Sequence, residues 1–149
     1  MTIGVNYIFG KPGSGKTILS DEIEEGFLLN EGFNSIPVGD SNLEEIISSL
    51  DQYKNTLLVI QSNRIARNHI KALRKFVENP NFVRGVVIQS EFEPEVEIKE
   101  YCDQIYETGY PYFAWVTQTG LNQWKSKSIK TGEIWKSTGR EQVIEFARS

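Results

Sequence analysis

One cysteine, Cys102, in 149 residues leaves no disulfide framework and no set of thiolates for a zinc cluster. Histidine also occurs once, as His69, which falls at a helix edge beside polar positions and reads as a surface residue rather than a ligand. No apolar run approaches the ~20 residues needed to cross a bilayer. The first residues show no basic stretch followed by an apolar one. These absences predict a cytoplasmic protein without membrane contact. Positive charge is in the minority: 16 Lys and Arg against 20 Asp and Glu give a net charge of −4. That excludes a surface coated in nucleic-acid-binding charge while leaving room for a local basic patch. Repeats, linkers and low-complexity tracts are missing, so the length predicts one domain over residues 1–149.

What is present begins with Gly10-Lys11-Pro12-Gly13-Ser14-Gly15-Lys16-Thr17. It fits G-x-x-x-x-G-K-[ST], the phosphate-binding loop, and its context is right. A short apolar run, Val5 to Phe9, precedes it. Ile18, Leu19, Ile23, Phe27 and Leu28 follow at roughly helical spacing. Glycines let the backbone approach an anion closely, and the loop amides with the positive end of the next helix would hold it. Residues Gly10 to Ile18 are therefore the expected nucleotide contacts, with ATP and Mg²⁺ as the expected ligands. Lys16 would span the β- and γ-phosphates and Thr17 would ligate the metal.

Apolar runs and helical periods then alternate. The first helix runs from about Lys16 to Leu29 and stops near Gly32. Phe33 to Val38 is a weak strand that Pro37 confines to an edge or a strand start. Asp40-Ser41-Asn42 caps a helix carrying Leu43, Ile46, Ile47 and Leu50. Thr56 to Ile60 and Val83 to Ile88 read as strands covered on both faces. Between them Ile65 to Val77 is an amphipathic helix. Val96 to Tyr106 reads as an acidic helix stopped by Gly109, and Tyr112 to Val116 as a fifth strand. Beyond Gln118 the helical period disappears. Lys125–Lys130, Glu133–Lys136 and Gln142–Phe146 look like short strands, with turns at Thr131-Gly132 and Thr138-Gly139. The expectation is an α/β fold: a doubly wound, mainly parallel five-stranded P-loop NTPase sheet, helices on both faces, and a C-terminal antiparallel hairpin extension.

Loop, strand count and hairpin tail together resemble the RecA-like ATPase core of RecA recombinases and DnaB-type helicases over nearly the whole chain. The resemblance implies a third strand ending in a metal-shell aspartate and a fourth ending in a polar sensor. Leu58-Val59-Ile60-Gln61-Ser62 and Val86-Val87-Ile88-Gln89 match those placements, with glutamine where the aspartate is expected. It implies a catalytic glutamate after the second strand, where Asp40, Glu44 and Glu45 stand in no clear register. It also implies cations on the tail that reach a neighbouring subunit's γ-phosphate; Lys136 and Arg140 are the candidates. A competing alignment makes Val87-Ile88-Gln89-Ser90-Glu91 the metal strand and Ala114 to Gln118 the sensor, similar to HerA, FtsK and Zot-type packaging ATPases. Both leave glutamine in place of aspartate, a departure that bears on hydrolysis rather than on binding. Gln61, Gln89 and Glu91 join Lys16 as candidate catalytic residues.

On a helical wheel Arg64, Arg67, Lys71, Arg74 and Lys75 share one arc, opposite Ile65, Ala66, Ile70, Leu73, Phe76 and Val77. Read blandly this is a solvated face; read functionally it contacts a nucleic-acid backbone or another subunit. Glu91, Glu93, Glu95, Glu97 and Glu100 form an acidic counterpart that would suit head-to-tail assembly into a ring or filament. Trp115 and Cys102 read as core, while Trp124 and Trp135 are open between packing and base stacking. The favoured expectation is an oligomeric ATPase acting on nucleic acid as helicase, recombinase or packaging motor. The alternatives are a nucleotide-sensing module that does not turn over and a small-molecule kinase, although no arginine-rich lid segment is evident.

Overall fold

The apolar runs become strands because a sheet covered on both faces buries every side chain along them. Val5–Phe9 forms β1, buried at all five positions. Lys16–Leu28 forms α1. Asn34–Val38 is β2, Leu43–Ser48 is α2 with a 3-10 turn at Leu50–Gln52, and Thr56–Gln61 is β3. Arg67–Val77 is α3, Gly85–Ser90 is β4, and Val96–Lys99 is the short α4. Gln104–Phe113 is β5, Asn122–Ser128 is β6 and Ile134–Thr138 is β7. The structure, a computed structural model, describes residues 4–12, 16–29, 32–113, 122–128 and 134–138.

The strands lie side by side in the order β2-β3-β4-β1-β5-β6-β7. The first five are parallel, and β6 and β7 add antiparallel ladders beyond β5. The expected five-stranded parallel sheet with a hairpin on one edge is thus present, and β2 with Pro37 is the opposite edge. The third tail strand expected at 142–146, the turn at Thr131-Gly132, Gly139 and Trp115 lie outside the described residues, while Thr138, expected in the second turn, is the last residue of β7.

Alternation divides the core in two. Val5, Tyr7 and Phe9 of β1, Leu58 and Ile60 of β3, and Val86 and Ile88 of β4 face one side, where α2, α3 and α4 supply Ile46, Ile70, Leu73, Phe76 and Ile98. Ile8, Leu57 and Val87 face the other, against Leu19, Ile23 and Phe27 of α1. Connections running one way along the sheet put α1 on one face, and those running back put the other helices on the opposite face. Gly32, at φ 83°, adopts the left-handed geometry expected of a glycine stop just beyond α1.

One element departs from expectation. The helix predicted over 96–106 ends at Lys99, and the strand begins at Gln104 rather than Tyr112. Helical spacing over this stretch competes with alternation at 104–108, and pairing with β1 decides in favour of strand. Asn6 to Phe9 pair in parallel with Gln104 to Glu107, which buries Ile105 on the α3 side and packs Tyr106 on the α1 side. Gly109, expected as a helix stop, instead lies where the β5–β6 register shifts, between Thr108 and Tyr110. That is a bulge position, which favours glycine. Cys102 is buried in the core, as expected.

Candidate nucleotide site

Three carboxyl-terminal strand ends and the start of α1 enclose a cleft of about 540 Å³. The chain leaves β1 for the far edge of the sheet, whereas β4 connects across β1 to β5. This reversal beside β1 is the topological switch point, where open α/β sheets hold ligands. Lys16, Thr17 and Ile18 contribute from α1 and Pro12 from the loop before it. Gln61, Ser62 and Asn63 close the β3 end, and Gln89, Ser90 and Glu91 the β4 end. Gly10 donates its N–H to Ser90 O at 3.2 Å, which fixes the start of the loop to β4. Gly13, Ser14 and Gly15 of the expected phosphate loop lie outside the described residues, and Lys11 is exposed.

Lys16 is folded back onto its own loop, donating from Nζ to Gly10 O at 2.5 Å and to Lys11 O at 3.0 Å. Partial burial holds its ammonium below the usual lysine range, while the Glu91 carboxylate pulls the other way. Those carbonyls hold the ammonium at the cleft. Glu91, exposed at the rim, therefore influences Lys16 by its charge.

Register places the two glutamines side by side. Gln61 is opposite Gln89 across the β3–β4 ladder, and Ile8 is opposite Gln89 on the β1 side. Their roles differ in burial: Gln61 is exposed at its strand end, whereas Gln89 is 7% exposed. Thr17 Oγ1 donates to Gln89 Oε1 at 3.4 Å. With its proton directed at that amide oxygen, the hydroxyl can offer a lone pair to a cation. Gln89→Asp would bury a carboxylate where a neutral amide fits, and should lower the stability of the ligand-free protein by about 1–3 kcal/mol. Gln61→Asp, at an exposed position, should stay within about 0.5 kcal/mol of the parent. Urea denaturation of both variants checks the contrast.

Of the three acids after β2, only Asp40 lines the cleft. Glu44 instead accepts a hydrogen bond from His69 Nε2 at 2.6 Å, and Glu45 is exposed on α2. Asp40 Oδ1 accepts from Ser62 Oγ at 2.5 Å. Asn63 Oδ1 accepts from Ser90 Oγ at 3.2 Å and from Glu91 N at 2.8 Å, locking the β3 loop to the β4 loop. Sequence reasoning gives Ser62, Asn63 and Ser90 no role of their own and leaves Asp40 level with its neighbours, because only the strand order brings these turns together.

Among the described residues, no other candidate lines the cleft. Lys136 is on β7, the outermost strand, and Arg140 lies outside the described residues. His69, expected at the surface, is 7% exposed. Its Nδ1 accepts the Ala66 N–H at 3.0 Å, so the ring proton sits on Nε2 and the side chain caps α3 from within. The basic stripe is reduced by one member, because Arg74 Nη1 donates to Asp103 at 2.6 Å and its Nε to Glu78 at 2.7 Å. These carboxylates raise the Arg74 pKa above its ordinary value. Arg64, Arg67, Lys71 and Lys75 are exposed, and no salt bridge holds them among the described residues. No helix among the described residues is long and apolar enough to cross a membrane.

Neither a family model nor a curated protein sequence matches the chain. Solved structures do resemble its fold. One is the genome packaging NTPase B204 from Sulfolobus turreted icosahedral virus 2 in complex with ATP-gammaS, with TM-score 0.54, 12% identity, and coverage of 92% of this chain and 98% of that one. Another is the same NTPase in complex with sulfate, with TM-score 0.53, 11% identity, and coverage of 91% and 96%. At such identities the likeness is one of fold: the chain is an α/β protein with the fold of a P-loop NTPase.

Proposed function

We propose that the domain binds ATP in this cleft and hydrolyses it as a RecA-like motor subunit acting on nucleic acid. The carrying observation is that Lys16 and Thr17 begin α1 inside a cleft of about 540 Å³ at the sheet's switch point. The B204 likeness supports the reading, since that protein is a packaging NTPase captured with ATP-gammaS. The donors fit a hard cation: a threonine hydroxyl, amide oxygens and carboxylates are oxygen ligands of the kind Mg²⁺ selects. Bound Mg²⁺ would supply positive charge that offsets the charge developing on the phosphates. The chain's own residues do the rest. Lys16 would neutralise the phosphates, Thr17 would hold the metal through its hydroxyl, and Gln89 keeps that hydroxyl oriented. Gln61 and Glu91 line the same cleft.

Titrating ATP with and without Mg²⁺, then measuring phosphate release, separates binding from turnover. Saturable binding with no release would favour the sensing module, which the two neutral glutamines at the strand ends support. No phosphate release at any protein concentration, with or without DNA or RNA, would sink the motor reading. A cation supplied in trans can be worth roughly 10³–10⁵ in rate. Lys136 and Arg140 are the residues proposed for that role, in a ring or filament. Specific activity should then rise with protein concentration and fall in Arg140→Ala at unchanged ATP affinity.

The nucleic-acid part rests on the exposed cations Arg64, Arg67, Lys71 and Lys75 at the surface of an acidic protein. Replacing Arg67, Lys71 and Lys75 by Gln should weaken DNA or RNA binding. The salt dependence should flatten by nearly one unit of logarithmic slope for each phosphate that is no longer neutralised. Anisotropy titrations at two salt concentrations measure both.

A further inference from the structure

Mg²⁺ in phosphate sites is commonly anchored on the protein side by one or two carboxylates. Here β3 ends in the neutral amide of Gln61 and β4 carries that of Gln89 near its end. The cleft nevertheless contains carboxylates, contributed by Asp40 and Glu91. Glu91 acts electrostatically on Lys16. Asp40 enters just after the edge strand β2, two strands from β4. In the β2–β3 ladder Val38 is opposite Ile60. Two residues further along each chain, Asp40 and Ser62 meet, and Ser62 Oγ donates to Asp40 Oδ1 at 2.5 Å.

The hydroxyl making that bond is held on both sides. Ser62 is 5% exposed, and its oxygen accepts the Arg64 N–H at 3.0 Å, which leaves its proton for Asp40. Its backbone is tied to β4 as well, Ser62 N donating to Gln89 O at 3.1 Å. A side chain at the end of an edge strand is thereby given one orientation by a buried donor on the neighbouring strand. One carboxylate oxygen is engaged, and among the described residues no further hydrogen bond reaches the other.

We infer that Asp40 is the carboxylate that anchors the metal of a Mg²⁺–triphosphate in this cleft, replacing the charge that Gln61 lacks, and that Ser62 positions it. The inference rests on the proposed nucleotide binding and adds to it the source of the missing negative charge. A shell carboxylate reaches the metal directly or through a bound water, so its removal should affect the metal-dependent part of nucleotide affinity. The contact of the phosphates with Lys16 should remain.

Calorimetric titration of the full chain with ATP-gammaS, in excess Mg²⁺ and in EDTA, reads the two parts separately. In the parent, Mg²⁺ should tighten binding. In Asp40→Asn that tightening should shrink by about 10–100-fold, the usual cost of removing an outer-shell partner, with the EDTA affinity unchanged. Ser62→Ala should lose part of the same enhancement and Ser62→Thr should keep it, since only threonine retains the hydroxyl. Adding Gln61→Asp to Asp40→Asn should restore the enhancement, because the carboxylate returns from the neighbouring strand. A full Mg²⁺ enhancement in Asp40→Asn overturns the inference, including the case in which that variant binds normally and only turnover is lost. Absence of nucleotide binding by the parent, or no effect of Lys16→Ala in EDTA, shows instead that the nucleotide reading is wrong.

Discussion

Lys16→Ala should weaken ATP-gammaS binding by about 10²-fold. A hydrogen bond to a charged partner contributes about 1.5–3 kcal/mol, and about 1.4 kcal/mol is a factor of ten. Lys16 is the one cation lining the cleft among the described residues, so no neighbour offers to take its place. The ligand-free fold should tolerate the change, because among the described residues the side chain bonds only to the loop carbonyls of Gly10 and Lys11. Lys16→Arg should not rescue binding fully, since a planar fork does not replace a compact ammonium between phosphates. The pH dependence has a definite sign. Burial lowers the Lys16 pKa, so in the ligand-free protein its charge is lost at lower pH than that of a free lysine. Affinity should therefore decline as pH rises through that depressed value, and the decline should be absent in Lys16→Ala. Calorimetry across neutral and alkaline pH measures both effects. Equal affinity in parent and variant would leave the cleft without its phosphate anchor.

Arg84→Ala should be the more damaging change to the fold, by about 3 kcal/mol or more, because truncation would orphan three carbonyls at about 1–3 kcal/mol for each that stays dry. Arg84 is 4% exposed and immediately precedes β4. Its Nε and Nη2 donate to Tyr53 O, its Nε also to Lys54 O at 3.2 Å, and its Nη1 to Phe76 O at 3.3 Å. The guanidinium lies 4.4 Å from the Phe76 ring centroid and 4.8 Å from that of Phe82. Truncation would also remove the cation between two rings. Arg84→Met separates the terms, keeping the stem's packing without the donors. Urea denaturation should rank the parent above Met and Met above Ala. These bonds join the entry to β3, the end of α3 and the start of β4, so they set the ladder whose other end holds Gln61 beside Gln89. Loss of stability in Arg84→Ala should accordingly come with weaker nucleotide binding, recovered at lower temperature as the folded fraction returns.

Local chemistry accounts for what is legible along the chain. Glycines around Lys16-Thr17, with an apolar run before and a helical period after, identify a strand and a helix through short-range sterics alone. Runs such as Thr56 to Ile60 reveal buried parallel strands for a similar reason: covering on both faces leaves no polar positions. Pro37 marks β2 as an edge because a missing N–H cannot serve an interior ladder. Where two local signals conflict, the chain in isolation is ambiguous. Residues 104–106 fit a helical spacing, yet pairing with Asn6 to Phe9 makes them strand. His69 reads as a surface residue on its wheel, but packing against α2 supplies Glu44 and the α3 start supplies the Ala66 N–H.

The charge placement in the cleft belongs wholly to tertiary structure. In the sequence, Asp40, Glu44 and Glu45 are equivalent acids after a strand of unknown register. The β2–β3 ladder brings Asp40 to Ser62 and turns Glu44 away toward His69. Likewise Gln61 and Gln89 match the same pattern, and the strand order alone puts Gln89 next to β1 and within reach of Thr17, with Gln61 one strand further out. The sequence by itself determined that this chain sets a glycine-rich segment and a helix behind a buried strand of a parallel α/β sheet, because those features depend on neighbours along the backbone. Only the tertiary structure decided which oxygen atoms line the cleft, because hydrogen bonds between strands, not distance along the chain, set which side chains share an edge.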